Sequence, residues 1–244
     1  MQLDLKIQLD ITMNKLHFNI LIITLGLVLS GCDTKKTTQE KTAFILVNDD
    51  SGVLTQPQRA SKLKLLMLAQ LKDLRKKLKF SKAKLQIIST SYGRSVWVGS
   101  IADLKSKRAA DVVAKIESKA THCNRLSESF DSIRTSIRQL EQQGYSDVHI
   151  YFFSSMISTP PVCNDDVDIT LPQLPVPADF TGTLTSSDIV KTIAMYYVNP
   201  HQLRAYQEAL IPVASWANVN NKDFGIYDME DTEFQLRHGL LGVK

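Results

Sequence analysis

The sequence predicts an α/β fold in which a doubly wound, mostly parallel sheet is flanked by helices. The first observation is the apolar run at residues 44–47, which stops at Asn48, Asp49 and Asp50. Such a run is typical of a buried central strand whose carboxyl end opens onto a loop. The second observation is that strand-like and helix-like segments alternate along the chain, as parallel strands with crossover helices require. With 244 residues, 43% of them hydrophobic, we expect one globular domain.

After the opening strand, the chain predicts a long helix and a hairpin. Residues 56–79 carry apolar side chains at helical spacing, with basic residues between them. From Arg59 to Lys84, ten basic residues stand against one acidic residue, Asp73, so the outer face of this helix is positive. A solvated face and a contact with anionic lipid headgroups are both open interpretations. Residues 85–99 predict a second buried strand, a turn and a short antiparallel partner strand.

The middle of the chain predicts two helices and a buried strand. Apolar periodicity indicates one helix over 102–118 and another over 126–140. Asn124 is a natural N-cap for the second helix, because its amide oxygen can accept from the first-turn N–H groups. A strand is predicted at 148–153, on which His149 is an ordinary strand side chain.

A proline-rich segment at about 158–187 predicts a long loop inserted into the domain. Residues 193–198 then indicate a strand. Asn199-Pro200 opens a helix by the cap-then-proline rule, and Pro212 splits or kinks that helix before it ends near residue 217. Residues 224–227 predict the last strand, which precedes an acidic turn and a polar tail.

The N-terminus predicts a secretory signal peptide. An apolar core at residues 20–29 follows a weakly basic segment that begins at Met13, a possible true start of translation. The next residues, Leu29-Ser30-Gly31-Cys32, resemble the lipobox of bacterial lipoproteins. This resemblance implies that residues 1–31 are removed, that the Cys32 sulfur receives a diacylglycerol and that its new N-terminus is acylated, as with palmitate. The alternative is an uncleaved anchor, for which the apolar core is short.

The lipobox resemblance implies a membrane-anchored protein whose body faces the periplasm, since two or three acyl chains anchor firmly. Residues 32–42 are too polar to pack and predict a flexible tether. Asp33 resembles the signal that retains lipoproteins on the inner membrane of Gram-negative bacteria, and the outer membrane is the alternative. The net charge of +4 is too small to indicate nucleic acid as a partner.

The domain predicted over residues 43–244 resembles the von Willebrand factor A domain family from about residue 43 to residue 227, with the proline-rich segment as an insertion. Asp49 and Ser51 match the first two positions of that family's Asp-x-Ser-x-Ser pattern, while Val53 replaces the last serine. The resemblance implies a Rossmann-type sheet with one antiparallel edge strand. It also implies a metal ion-dependent adhesion site, which binds a divalent cation and usually Mg²⁺. Asn124 falls where the family has a threonine, and Ser155 replaces the aspartate after the fourth strand.

The implied metal site is therefore degenerate. Its members are Asp49, Ser51, Asn124 and Ser155, with Thr121 as an alternative to Asn124 if the loop is offset. A hard cation prefers several charged oxygen ligands, and this set offers one carboxylate. Asp50, or Asp165 and Asp166 on the insertion, are candidate substitutes for the missing acid. We therefore expect no cofactor, with Mg²⁺ at this degenerate site as the alternative.

Two cysteines are candidates for a disulfide. Cys123 precedes the third predicted helix and Cys163 follows the strand that ends at residue 153, so both loops meet above the carboxyl edge of the sheet. Export to an oxidising compartment favours the bond. Closing this loop of about 40 residues would stabilise the fold by roughly 3 to 4 kcal/mol on the chain-entropy model. Two free thiols are the alternative.

Enzyme and zinc signatures are missing from the sequence. A trio of Asp49, Ser51 and His122 or His201 can be drawn, but any chain of this size contains such trios, and we expect no enzyme. The sequence instead predicts a protein-binding or assembly module, acting with another envelope protein in a complex such as a secretion or conjugation apparatus. The alternative is a divalent cation-dependent, adhesion-type ligand-binding domain.

Overall fold

The computed structural model describes residues 41–50, 57–77, 80, 82–104, 111, 123–159 and 178–243, without the side chains of residues 57–63 and 178–179. The predicted signal peptide, Cys32 and most of the tether lie outside these residues, as does nearly all of the predicted helix at 102–118. No helix among the described residues has the length and apolar character needed to cross a bilayer.

One six-stranded sheet forms the centre of the body. Its strands, in chain order, are β1 (Thr42–Asn48), β2 (Lys84–Ser89), β3 (Arg94–Ser100), β4 (Asp147–Phe153), β5 (Val190–Tyr196) and β6 (Asp223–Ile226). The spatial order is β3-β2-β1-β4-β5-β6. Strand β3 pairs antiparallel with β2, and every other pair is parallel. The predicted α/β class with a mostly parallel sheet is confirmed, and so is the antiparallel hairpin.

Six α-helices surround the sheet in the described part of the chain. They are α1 (Pro57–Lys76), α2 (Leu126–Gln142), α3 (Ala178–Ser186), α4 (Pro200–Ala209), α5 (Ile211–Val219) and α6 (Met229–Arg237), and a short 3-10 helix spans Ile101–Asp103. The predicted break near Pro212 is confirmed, because α4 ends at Ala209 and α5 begins at Ile211. The Asn199 side chain caps α4 by accepting from the backbone N–H of His201 at 2.9 Å.

Both faces of the sheet are covered by apolar side chains. On one face Phe44 and Leu46 of β1 belong to the cluster that contains Met67 of α1. On the other face Ile45 and Val47 join the cluster that contains Phe130 of α2. Successive strand residues point to opposite faces, so this burial on both sides explains the uninterrupted apolar run of β1. His149, on β4, is buried, and its ring stacks on that of Phe44 at 5.0 Å.

Two predictions about helices were wrong. The segment predicted as a loop ends in helix α3, whose Phe180 and Leu184 are buried one turn apart. The Phe180 ring lies 4.4 Å from that of Phe130, so packing against α2 overrides the weak helical sequence. Asn124 does not cap α2, because Arg125 occupies the cap position without a side-chain hydrogen bond.

The prediction of a polar tail after β6 was also wrong. These residues form helix α6 and a buried C-terminal segment, Leu240–Val243. Leu240 and Val243 are 5% and 7% exposed. The hydroxyl of Tyr151 donates to the carbonyl of Leu241 at 2.7 Å, and the Leu241 N–H donates to the hydroxyl of Tyr196 at 3.0 Å. Burial raises the pKa of both phenols. The tail therefore completes the core on the α1 face of the sheet.

Candidate functional site

The carboxyl ends of β1, β2 and β4 meet at one edge of the sheet. Asn48 is in register with Ser89 on one side and with Phe153 on the other. The pairing continues one step beyond the strands, because Asp49 N–H donates to Phe153 O at 2.9 Å and Thr90 N–H donates to Asn48 O at 3.0 Å. The residues that follow these strands are thereby fixed beside one another.

Asp49 is the acceptor at the centre of this edge. Its Oδ2 accepts from Asn124 Nδ2 at 3.1 Å, from Ser154 Oγ at 3.1 Å, and from the Oγ and backbone N–H of Ser155 at 2.9 and 3.3 Å. Its Oδ1 accepts from Thr90 Oγ1 at 3.3 Å. The Asp49 side chain is almost fully buried. We call Asp49, Thr90, Asn124, Ser154 and Ser155 the Asp49 centre, in which one carboxylate ties together the ends of three segments.

Asp50 points to a different set of donors. Its Oδ2 accepts from Ser89 Oγ at 2.6 Å and its Oδ1 accepts from the backbone N–H of Ser91 at 3.0 Å. Burial raises the pKa of the Asp50 carboxyl above its usual range, the hydrogen bonds from Ser89 and Ser91 oppose this, and the charge of Asp49 adds to it. The dominance of burial means that the ionised form of Asp50 is a cost to the folded state.

The raised pKa of Asp50 leads to a prediction about how the stability of the fold depends on pH. Because the pKa of Asp50 is raised in the folded state, its contribution favours folding below its unfolded pKa and is lost as pH rises through the folded value. Asp50→Asn removes the titration and keeps an amide oxygen to accept from Ser91. We expect the melting temperature of the variant, relative to that of the wild type, to rise between pH 4 and pH 7. A difference that stays constant or falls over this range would contradict the assignment.

The loop after β4 is hydrogen-bonded to the segments on both sides of it, next to the Asp49 centre. Met156 has a φ of 60°, which is uncommon for a residue with a side chain. Gln202 Nε2 donates to its carbonyl at 3.1 Å, and the N–H of Asn199 donates to Ser155 O at 3.0 Å. On the other side, the N–H of Asn124 donates to Thr159 Oγ1 at 2.8 Å. Neighbouring segments thus maintain a backbone conformation that would otherwise be unfavourable.

Three of the four residues predicted for the metal site are brought together. Asp49, Asn124 and Ser155 are in direct contact, whereas Ser51 lies outside the described residues. The suggested substitutes, Thr121, Asp165 and Asp166, lie outside them too. Two members of the centre, Thr90 and Ser154, were not predicted from the sequence. Their only signal is that each directly follows a strand that is adjacent to β1.

The donor set fits a hydrogen-bonded carboxylate better than a hard cation. Among the described residues no group of three or more His, Cys, Asp or Glu side chains is placed to hold a metal ion. A cation would need the Asp49 carboxylate as a ligand. That carboxylate already accepts from the hydroxyls of the centre, the Asn124 amino group and the Ser155 N–H. One feature favours a cation: Asn124 Oδ1 is buried and has no hydrogen-bond partner among the described residues. A half-turn of this amide would present an oxygen beside Asp49.

Cys123, which immediately precedes Asn124 of the Asp49 centre, is disulfide-bonded. Both other cysteines, Cys32 and Cys163, lie outside the described residues, so the pairing with Cys163 remains a prediction. Peptide mapping without reductant should recover a cross-linked pair that contains Cys123 and Cys163. A Cys123–Cys32 pair would refute the prediction and would also remove the thiol that the lipobox needs.

No protein-family model matches the chain, and no curated protein matches it. Among solved structures, the pilus adhesin SpaC from Lactobacillus rhamnosus GG matches 82% of this chain with a TM-score of 0.51 at 11% identity. The PilB minor pilin from Streptococcus sanguinis matches 80% of it, with a TM-score of 0.48 at 10% identity. The N-terminal domain of TFIIH p34 matches 83%, with a TM-score of 0.49 at 10% identity.

These matches differ in how much of the other protein they cover. The chain spans 29% of SpaC and 58% of the minor pilin, but 98% of the p34 domain. At 11% identity the similarity to SpaC is a similarity of fold.

Proposed function

We propose that this chain is a membrane-anchored, periplasm-facing lipoprotein whose body is a von Willebrand factor A-like, non-enzymatic protein-binding or assembly module. It would act with another envelope protein, in a complex such as a secretion or conjugation apparatus. The anchor is assigned to Cys32 on its lipobox, and Asp33 favours the inner membrane. The binding surface is assigned to the loops at the carboxyl edge of the sheet.

The proposed binding surface rests on one observation, the Asp49 centre. In the family that the sequence resembles, this position organises the edge loops through a cation. Here hydrogen bonds from Thr90, Asn124, Ser154 and Ser155 connect the loops to the same carboxylate. The edge is therefore organised before any partner arrives, and a preorganised surface loses less conformational entropy on binding.

Affinity purification tests the binding surface. The tagged full chain is recovered from solubilised membranes, and co-purifying envelope proteins are quantified with and without EDTA. Arg125 and His201 are exposed residues next to the edge loops, so Arg125→Glu combined with His201→Glu should lose the partner that the wild type retains in EDTA. Lys82→Glu, an exposed change at the other end of the sheet, is the control. Equal recovery by both variants would reject the edge as the binding surface.

The anchor has a separate test. Growth with labelled palmitate should label the wild type and not Cys32→Ser, and fractionation of the wild type should place it with inner-membrane markers. Absence of label in the wild type would reject the lipoprotein assignment. Recovery with outer-membrane markers would reject only the retention role of Asp33.

A second candidate function is divalent cation-dependent ligand binding, favoured by the buried Asn124 Oδ1, which has no hydrogen-bond partner among the described residues. Asp49, Asn124 and Ser155 would hold the ion, which would supply a positively charged point of attachment for a ligand carboxylate. Calorimetry with Mg²⁺, Mn²⁺ and Ca²⁺ decides between the candidates. No heat and no thermal shift at millimolar metal would reject the cation-dependent function, whereas a metal-induced shift that Asn124→Ala abolishes would support it.

A further inference from the structure

The amino edge of the sheet carries two lysines that converge on one aromatic ring. Lys41 immediately precedes β1, Lys84 begins β2, and Tyr145 lies just before β4. The ammonium groups of Lys41 and Lys84 each lie 5.7 Å from the centre of the Tyr145 ring. Lys41 is exposed, and Lys84 and Tyr145 are half-buried. We call these three residues the Lys41 cluster.

Neutral groups hold the two ammonium groups in place. Lys41 Nζ donates to the backbone carbonyl of Gln143 at 2.9 Å, and Lys84 Nζ donates to the Oε1 of the same residue at 3.1 Å. Gln143 follows the last residue of α2, where the helix dipole is negative. Neither lysine forms a salt bridge with a carboxylate of the described residues. Within the described residues, the cluster therefore presents two positive charges that no carboxylate pairs with in a salt bridge.

A second lysine pair at the amino edge of the sheet has acidic residues close to it. Lys191 and Lys222 both donate to the backbone carbonyl of Asp188, at 3.2 and 3.1 Å. Burial and the neighbouring Lys191 lower the pKa of Lys222 to about 8, although the Asp188 and Asp147 carboxylates oppose this shift. The pair carries the same formal charge as the Lys41 cluster, but carboxylates lie near it. It is therefore a matched control for the Lys41 cluster.

We propose that the Lys41 cluster is a membrane-facing contact for the phosphate groups of anionic lipids. The inference rests on the proposed anchor at Cys32, because the chain enters the body at Lys41. The segment from Cys32 to Lys41 spans at most roughly 30 Å when fully extended, so an acylated Cys32 keeps this edge close to the bilayer. Lysines are attracted to anionic headgroups, and tyrosine is enriched at the membrane interface.

Hydrogen–deuterium exchange on the mature acylated protein tests the contact. The protein is reconstituted in vesicles of phosphatidylcholine alone, or with about a third of phosphatidylglycerol. In the anionic vesicles we expect exchange over residues 143–147 to slow by about fivefold for each contacting lysine. Lys41→Gln combined with Lys84→Gln should abolish this slowing, and Lys191→Gln combined with Lys222→Gln should retain it.

Three results would overturn the inference: equal exchange in the two vesicles, slowing that survives in the Lys41/Lys84 variant, or slowing that the control variant loses equally. Flotation of the same samples reports on the anchor separately. A wild type that floats without lipid-dependent slowing rejects the Lys41 cluster and keeps the anchor. A wild type that fails to float rejects the anchor, and exchange with excess anionic vesicles added then decides on the cluster.

Discussion

Asp49→Ala is expected to lower the free energy of unfolding by about 4 to 5 kcal/mol, because it removes the acceptor that the Asp49 centre shares. The donors from Asn124, Ser154 and Ser155 would remain at a buried edge without that acceptor. A buried donor that loses its partner costs about 1 to 3 kcal/mol, and relaxation of the loop would recover part of the total. Urea denaturation of the full chain, followed by circular dichroism, measures the loss.

Asp49→Asn is the graded control for this change. An asparagine keeps one acceptor oxygen, but its amino group would face donors, so its stability should fall between those of the wild type and Asp49→Ala. Asp50→Asn, at the next position, should cost far less at neutral pH, because ionised Asp50 is unfavourable in the folded state. If Asp49→Ala unfolds at the urea concentration of the wild type, the carboxylate does not organise the edge.

Removal of residues 240–244 is expected to lower the free energy of unfolding by about 5 kcal/mol. Burial of Leu240 and of Val243 contributes about 2 kcal/mol each at the usual value for such side chains. The two hydrogen bonds between Leu241 and the hydroxyls of Tyr151 and Tyr196 add about 1 kcal/mol. The truncated chain should also expose these tyrosines, which near-ultraviolet circular dichroism would detect.

Leu241→Ala is the matched control for the truncation. The hydrogen bonds of Leu241 are made by its main chain, and its side chain is only partly buried, so this variant should lose about 1 kcal/mol. A truncated protein as stable as Leu241→Ala would show that the C-terminal segment is dispensable for the fold.

The fold could be predicted well where the pattern of apolar residues has one explanation. Residues 44–47 are apolar without interruption because β1 packs on helices at both faces, and no short solvent-exposed element shares that pattern. The tail was harder to predict, because residues 239–243 form only a short apolar stretch interrupted by glycine, and the burial of Leu240 and Val243 depends on a distant surface on α1 and β4. Helix α3 was hidden by the prolines that precede it, although Phe180 and Leu184 have helical spacing.

The candidate site could be predicted in part. Asp49 stood out because an acidic pair ended an apolar strand, and the family resemblance then indicated Asn124 and Ser155. Thr90 and Ser154 could not be singled out, since serine and threonine are common after strands and only the strand order shows which of them adjoin Asp49. The role of Asn124 was misjudged for a related reason. Its sequence context suggests a helix cap made by its amide oxygen, but α2 is capped at Arg125, and the Asn124 amino group donates instead to a carboxylate distant in sequence.

Strand β1 connects the two edges of the sheet to which functions are proposed. The chain enters at Lys41, and the Asp49 centre begins directly after the other end of the strand, about 26 Å from Lys41 at 3.3 Å per residue. If a partner pulls on the edge loops while Cys32 holds the bilayer, the tension runs along β1. Its parallel ladders to β2 and β4 would then be loaded in shear, so that many hydrogen bonds must break together. Under the proposed function, the body would therefore resist tension between the membrane and a bound protein.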